Sequence, residues 1–345
     1  MEFFPYQKIS STSSQFHMIK GSSKNLFKGK WIVLEKVHGA NFSVYCNAQE
    51  SKFAKRTTFL EKNEWFYNYH TISHDLQHKV KAVFDSVLTK DSDVDYVIVY
   101  GELCGGFYPS APQSWKGALE AGRINSQNKC LLDQNHRAIQ EGVYYSPDIV
   151  FIVFDIALVK RGKRYFIGYD DVMFYCKEAK LNYLRPLLVS SANECANYKC
   201  TFDSKVSVDI CKQMPLPKGS NLAEGIVVKP MNVDIYDDIR PMLKVKHSKF
   251  SEISSDFLSN DSCHHEILDM VNMNRLDSLR SKLGGLSKTQ SAEIVTNLVE
   301  DIYNDYWNMV YDNQRDAIDE GDTYRIHQLL VTNCTQLVAS YFSIV

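Results

Sequence analysis

Over the first 250 residues, short runs of β-branched and aromatic side chains alternate with polar turns. Trp31–Leu34, Asn41–Cys46, Tyr96–Tyr100, Val150–Phe154 and Gly225–Val228 each have the length and composition of a strand. Between them, apolar residues recur every third and fourth position over 69–88 and 169–181, which predicts two helices. Strands with helices packed outside them imply an α+β arrangement of antiparallel strands, not a doubly wound parallel sheet. The texture then changes. Glu266–Leu283, Ala292–Tyr311 and Tyr324–Phe342 carry helical periodicity, with Gly284, Gly285 and Gly321 as stops. Ser248–Ser262, rich in Ser, Asp and Asn, reads as a linker. The pattern thus predicts a mixed domain over residues 1–250 and a small all-α domain over 251–345. Gly105–Asp148, with Pro109, Pro112 and Pro147, reads as a long loop-like segment.

Composition narrows the class. With 44% hydrophobic and 23% charged residues in 345, the chain is globular, which excludes a disordered tail, a collagen-like repeat and a disulfide miniprotein. The longest apolar run, Ile149–Val159, is interrupted by Asp155 and is far shorter than the about 20 residues a bilayer needs. No membrane partner is therefore expected. Met1–Pro5 shows no basic region ahead of an apolar core, so no secretory signal is expected. Nine scattered cysteines then read as reduced thiols in an intracellular, cytoplasmic setting. Two lysines and one acid in the first twenty residues disfavour an organellar presequence.

The net charge of −2 conceals an asymmetry. Residues 251–345 carry 15 acidic and 6 basic side chains, a balance of −9, which leaves +7 on the first 250. A basic part that meets phosphates and an acidic accessory part would produce this division.

The candidate chemistry lies in the basic part. In Glu35-Lys36-Val37-His38-Gly39-Ala40-Asn41, a lysine follows an apolar strand and precedes a glycine that permits a tight turn. Partial desolvation among other cations would expose a neutral amine nucleophile there. Five further stretches place charge on strands or strand ends: Ala54–Thr57, Tyr100–Gly106, Val153–Ile156, Ala223–Pro230 and Met242–Lys246. In the last, a period of two puts Lys244 and Lys246 on one face, as an anion such as phosphate would require. Glu102 and Glu224, each beside a glycine, are candidates for a divalent metal or a ribose hydroxyl. Asp155 lies inside an apolar run and needs a partner.

Taken in order, these six stretches resemble the motifs of the covalent nucleotidyltransferases, the polynucleotide ligases and mRNA capping enzymes. K-x-H-G in place of K-x-D-G is similar to the RNA ligase 2 branch, with its phage and kinetoplastid RNA-editing members. Glu141–Asp148 ahead of Phe154-Asp155 resembles the editing members further. The resemblance spans the N-terminus to about residue 250. It implies a nucleotidyltransferase domain of ATP-grasp-like antiparallel sheets with flanking helices. It also implies ATP as substrate, Mg²⁺ or Mn²⁺ as cofactor, and RNA with 3′-OH and 5′-phosphate ends, in a nicked duplex, as partner. Lys36 would take AMP covalently from ATP and pass it to the RNA 5′-phosphate before sealing.

Carried over by position, Phe154 would stack on adenine and Glu35 would read its amine, with Val37 beside the nucleotide. Glu102 and Arg56 would hold the ribose and the nucleic-acid end. Lys244 and Lys246 would bind the α-phosphate with Lys229 nearby. His38 and Asn41 would act after lysine adenylylation, and Glu224 would ligate the metal. The stretch between Glu102 and Phe154 is longer than in the phage enzyme, and the C-terminal part matches the family only in size and texture. Two rivals stand beside this expectation. One is a DNA ligase or capping enzyme, which would continue into an OB-fold. The other is a catalytically silent scaffold that binds RNA ends. Cys195, Cys200, Cys211 and Cys263-His264-His265 lack the paired spacing of a zinc site and read as ordinary thiols and imidazoles.

Overall fold

A computed structural model of the chain describes residues 1–9, 29–106, 108, 138–213, 216–232, 240–250, 267–268, 270–311 and 320–344. They form two compact units, Met1–His247 and Ser248–Val345.

Two antiparallel sheets carry the first unit. One contains β1 (Trp31–Lys36), β7 (Leu188–Ser190), β8 (Gly225–Pro230) and β9 (Leu243–Lys246), ordered β7-β1-β8-β9. The other contains β2 (Ala40–Cys46), β3 (Ser51–Lys55), β4 (Tyr96–Cys104), β5 (Val150–Lys160) and β6 (Lys163–Phe166), ordered β3-β2-β4-β5-β6. Every predicted strand is present, and those at 96–104 and 150–160 run longer than their apolar cores. The α+β expectation holds.

Helix α1 (His70–Lys90) buries Leu76, Val80, Val83, Phe84 and Val87, a stripe at helical spacing that packs on β2 and β4. Helix α2 (Tyr169–Glu178) covers β5. The short α3 (Ala192–Ala196) begins in a capping box, in which Ser191 and Glu194 satisfy each other's backbone N–H groups.

Between β1 and β2 the chain passes from one sheet to the other through Val37, His38 and Gly39. A Cβ on Gly39 would lie 2.1 Å from the Leu103 carbonyl oxygen, so only glycine lets the turn pass β4 this closely. The same turn is pinned by Tyr145, whose hydroxyl accepts a hydrogen bond from the His38 backbone N–H at 2.9 Å. Tyr145 belongs to the described end, residues 138–148, of the long segment predicted as a loop; most of that segment, and residues 251–262 of the predicted linker, lie outside the described residues.

The second unit is helical. It contains α4 (Met273–Leu283), α5 (Ser291–Tyr311) and α6 (Glu320–Ile344). Leu276, Ile294, Leu298, Ile302, Ile326, Leu330 and Val338 form its core. The helix predicted over 266–283 is interrupted: Ile267 and Leu268 are helical, Met270–Asn272 are not, and a new helix starts at Met273, where the Asn272 side chain accepts the Arg275 N–H. It stops where predicted, at Gly284, in the left-handed conformation with φ 86°. Arg275, fully buried, pairs with Asp301 at 2.8 Å and Asp305 at 3.0 Å, so the core of this unit holds a compensated charge.

Candidate active site

Strand register builds the centre of the site. β1 and β8 are antiparallel neighbours, with Lys36 at the end of β1 opposite Gly225 at the start of β8. Glu224 immediately precedes that glycine. Its Oε2 lies 2.7 Å from Lys36 Nζ and 3.3 Å from His38 Nδ1. On the other side of β8, Lys246 of β9 is in register with Gly225 and places its Nζ 3.2 Å from Glu224 Oε1. One carboxylate, 3% exposed, thus receives three basic side chains brought in by three segments. Burial alone would push the Glu224 carboxyl up, but Lys36, Lys246 and His38 outweigh it and hold it well below the usual carboxylate range.

The second sheet contributes Glu102. Desolvation pushes its carboxyl up to about 8; Lys36, Arg56 and Lys246 oppose that rise, and Glu224 adds to it. Two carboxylates share this field of cations, and Glu224 takes the charge while Glu102 keeps its proton at neutral pH. Asn41 on β2 is directly opposite Glu102 in register. Arg56, past the end of β3, is pulled down by burial and supported by Glu102. Lys244 is half-buried on β9, two residues from Lys246 and so on the same face of the strand. Val37 is buried in the turn after Lys36.

A second charged group lies beneath Phe154. The pairing of β4 with β5 skips this residue, since Tyr100 is opposite Asp155 and Gly101 opposite Val153. Through that bulge the Phe154 ring and the Asp155 carboxylate both meet Tyr6, the ring at 4.8 Å between centroids and the carboxylate at 2.7 Å from the hydroxyl. Asp155 also receives a bidentate Arg240, at 3.2 and 2.5 Å, and Lys229 Nζ at 2.9 Å. Burial would raise its carboxyl; Arg240 and Lys229 hold it down at about 2 instead.

Two of the expected residues hold partners of their own. Val227 is opposite Lys244, so Lys229, two residues further along β8, shares the face of Lys244, while its ammonium is held by Asp155 and by the Phe154 carbonyl oxygen at 2.8 Å. Burial draws it down to about 8, with Asp155 opposing. Glu35 precedes Lys36 on a strand, so its side chain leaves the opposite face. There it accepts hydrogen bonds from Ser204 Oγ at 2.6 Å and from the Lys205 and Val206 N–H groups at 2.7 and 3.2 Å. Burial raises it to about 7 even against those donors.

Tyr6, Arg240 and Ser204 were not singled out in the sequence, and Tyr145 was noted only as part of Glu141–Asp148. Of the first three, Arg240 alone had a signal, the need of Asp155 for a cation. The N-terminal residues reach the site as a strap over the second sheet. The Phe4 N–H donates to Tyr45 Oη at 3.0 Å, Tyr100 Oη donates to the Phe4 carbonyl at 2.8 Å, and Arg164 holds the Pro5 carbonyl at 2.6 Å.

Comparison with known families decides what this arrangement belongs to. The RNA ligase family matches residues 29–246, which span every motif from Lys36 to Lys246. The chain belongs to the RNA ligase family. The T4 RNA ligase 2 C-terminal family matches residues 248–336, so the helical unit of this chain matches that domain and is not an OB-fold.

Among curated relatives, the mitochondrial RNA-editing ligase 2 of Trypanosoma brucei brucei is 29% identical over 266 residues, 74% of this chain and 62% of the relative. Its mitochondrial RNA-editing ligase 1 is 27% identical over 277 residues, 73% and 56% of the two chains. The alignments thus span about three fifths of the length of these relatives. Among solved structures, a Naegleria gruberi RNA ligase mutant with ATP and Mn aligns with a TM-score of 0.42 at 12% identity, over 72% of this chain and 57% of that one.

Among the described residues no three His, Cys, Asp or Glu side chains form a ready metal cluster, and no helix is long and apolar enough to cross a membrane. Cys195, Cys200 and Cys211 are free thiols, and Cys263, His264 and His265 lie outside the described residues.

Proposed function

We propose that this chain is an ATP-dependent RNA ligase that seals 3′-hydroxyl/5′-phosphate breaks in RNA through a covalent lysyl–AMP on Lys36. The observation that carries this reading is the convergence of Lys36, His38 and Lys246 on Glu224. An amine ordered by a buried carboxylate is what a phosphorus-directed nucleophile needs.

Lys36 Nζ forms a bond to the α-phosphorus of ATP as the bond to pyrophosphate breaks. The lysyl–AMP bond then yields AMP to the RNA 5′-phosphate oxygen, and the 3′-hydroxyl oxygen displaces AMP from that activated phosphate. Each step moves negative charge onto phosphate oxygens, so catalysis rests on alignment and on fixed cations. Lys244 and Lys246 supply those cations on one strand face, and Arg56 with Glu102 is assigned to the ribose and the RNA end. Phe154 is assigned to the adenine, with the Asp155–Arg240–Tyr6 group fixing the bulge that presents it.

Glu224 fits a hard divalent cation such as Mg²⁺ or Mn²⁺, since it is a buried oxygen donor held in its charged form. Such an ion would neutralise phosphate charge.

The test is sealing of a nicked RNA duplex beside the same nick in DNA, and beside single-stranded ends. Joined RNA, with AMP-capped RNA accumulating when the 3′-hydroxyl is removed, is the expected result. RNA bound but never adenylylated would transfer the assignment to an end-binding scaffold.

A further inference from the structure

The exposed face of α1 carries a pair of groups outside the ligase machinery. His74 and His78 are one turn apart, and their Nε2 atoms approach to 3.2 Å, with the rings at 75° and 4.5 Å between centroids. Both residues are exposed, so each nitrogen has water available and yet faces the other. Two ring nitrogens at this separation share a proton or share a metal. Imidazole nitrogens bind zinc at about 2.0–2.1 Å. Two adjacent ligands at that length stand about 2.9 Å apart for a right angle and about 3.3 Å apart for a tetrahedral one. The observed separation lies between these values.

We propose that His74 and His78 form a two-histidine clamp on α1 for a borderline transition-metal dication, Cu²⁺, Ni²⁺ or Zn²⁺. Imidazole donors suit these ions and not Mg²⁺ or Mn²⁺, so the clamp is independent of any cation at Glu224 and of the ligase assignment itself. The scaffold is rigid at this point, because Leu76 and Val80 on the opposite stripe are buried against the sheet. His70, a further turn back, is directed to the Glu64 carbonyl at 3.4 Å and lies against Tyr69, and Asp75 is paired with Lys79 at 2.7 Å. Two nitrogens therefore make the site, with water filling the remaining positions.

The test uses the full chain without an affinity tag, together with His74→Ala and His78→Ala. Alanine favours the helix, and circular dichroism checks that it is kept. With one equivalent of Cu²⁺, electron paramagnetic resonance should show two equatorial nitrogens in the parent chain and fewer in each variant. With excess Ni²⁺, the thermal midpoint should rise by several degrees in the parent and by none in either variant, since only the folded clamp binds. Affinity should fall in the order Cu²⁺, Ni²⁺. Copper held equally by parent and variants would overturn the proposal, because other donors would then be the ligands. No two-nitrogen signal and no nickel shift in the parent would also overturn it and leave the contact as a shared proton.

Discussion

Lys36 and Glu224 are 188 residues apart in the chain, and their side chains meet at 2.7 Å. The meeting is a product of register, since the last residue of β1 is opposite the first residue of β8. Replacement of Glu224 by Gln keeps the shape and removes the charge that three basic groups share. Formation of lysyl–AMP should slow by about 10²–10³-fold, the scale of a lost charge-stabilising contact in an active site. Single-turnover labelling with ATP measures it, and the fold should survive.

Asp155 should matter to stability first. Asp155→Asn leaves Arg240 and Lys229 buried with no anion, a defect of about 3–5 kcal/mol in other buried pairs. Urea unfolding at neutral pH should show a loss of that size. The sign of the pH dependence follows from a folded carboxyl held at about 2, below its usual value of 3.8. Its contribution is full above the usual value and fades as pH falls toward 2, so the deficit of the variant should shrink over that interval.

Much of this was legible in the chain. Lys36 beside Gly39, and Lys244 and Lys246 at a period of two, could be placed on strand ends from composition alone, and the strands found there confirm it. The fates of Lys229 and Glu35 were not legible. A motif names a strand, but pairing register and face decide which charge a side chain reaches, and both are set by residues far away. Lys229 is claimed by Asp155, 74 residues earlier, and Glu35 by Ser204, 169 residues later. Tyr6 gave no local signal either, because its role exists only once the strap is laid over the tyrosines of β2 and β4. In the helical unit, periodicity ran through Asn272 unbroken, and only the cap reveals the break.

Glu102 offers a second pH test. Its folded carboxyl stands at about 8 against an ordinary value of 4.5, so its contribution to stability is full below 4.5 and is lost as pH rises through about 8. Glu102→Gln does not titrate. Relative to the parent, this variant should therefore gain stability steadily between pH 5 and about 8.5, as read from urea midpoints. A parallel pair of curves would contradict the assignment.

Gly39→Ala should be more damaging than its size suggests. The new methyl would be forced against the Leu103 carbonyl, 2.1 Å away, with Glu102 Cγ 2.9 Å away. The backbone must shift, at a cost of about 1–3 kcal/mol, and the turn that carries His38 shifts with it. Both the thermal midpoint and the rate of adenylylation should fall, whereas Gly29→Ala, with nothing within 4 Å, should change neither.

The account stands on Lys36 as the nucleophile, and intact-mass spectrometry after ATP and Mg²⁺ tests that directly. The protein should first be cleared with pyrophosphate, which reverses any adenylylation it already carries. The parent should then gain one adenylyl group, mapped by peptide fragmentation to Lys36, while Lys36→Ala gains none. A parent chain that stays unmodified after clearing, with ATP and with GTP, or a label mapped to another lysine, would contradict the account.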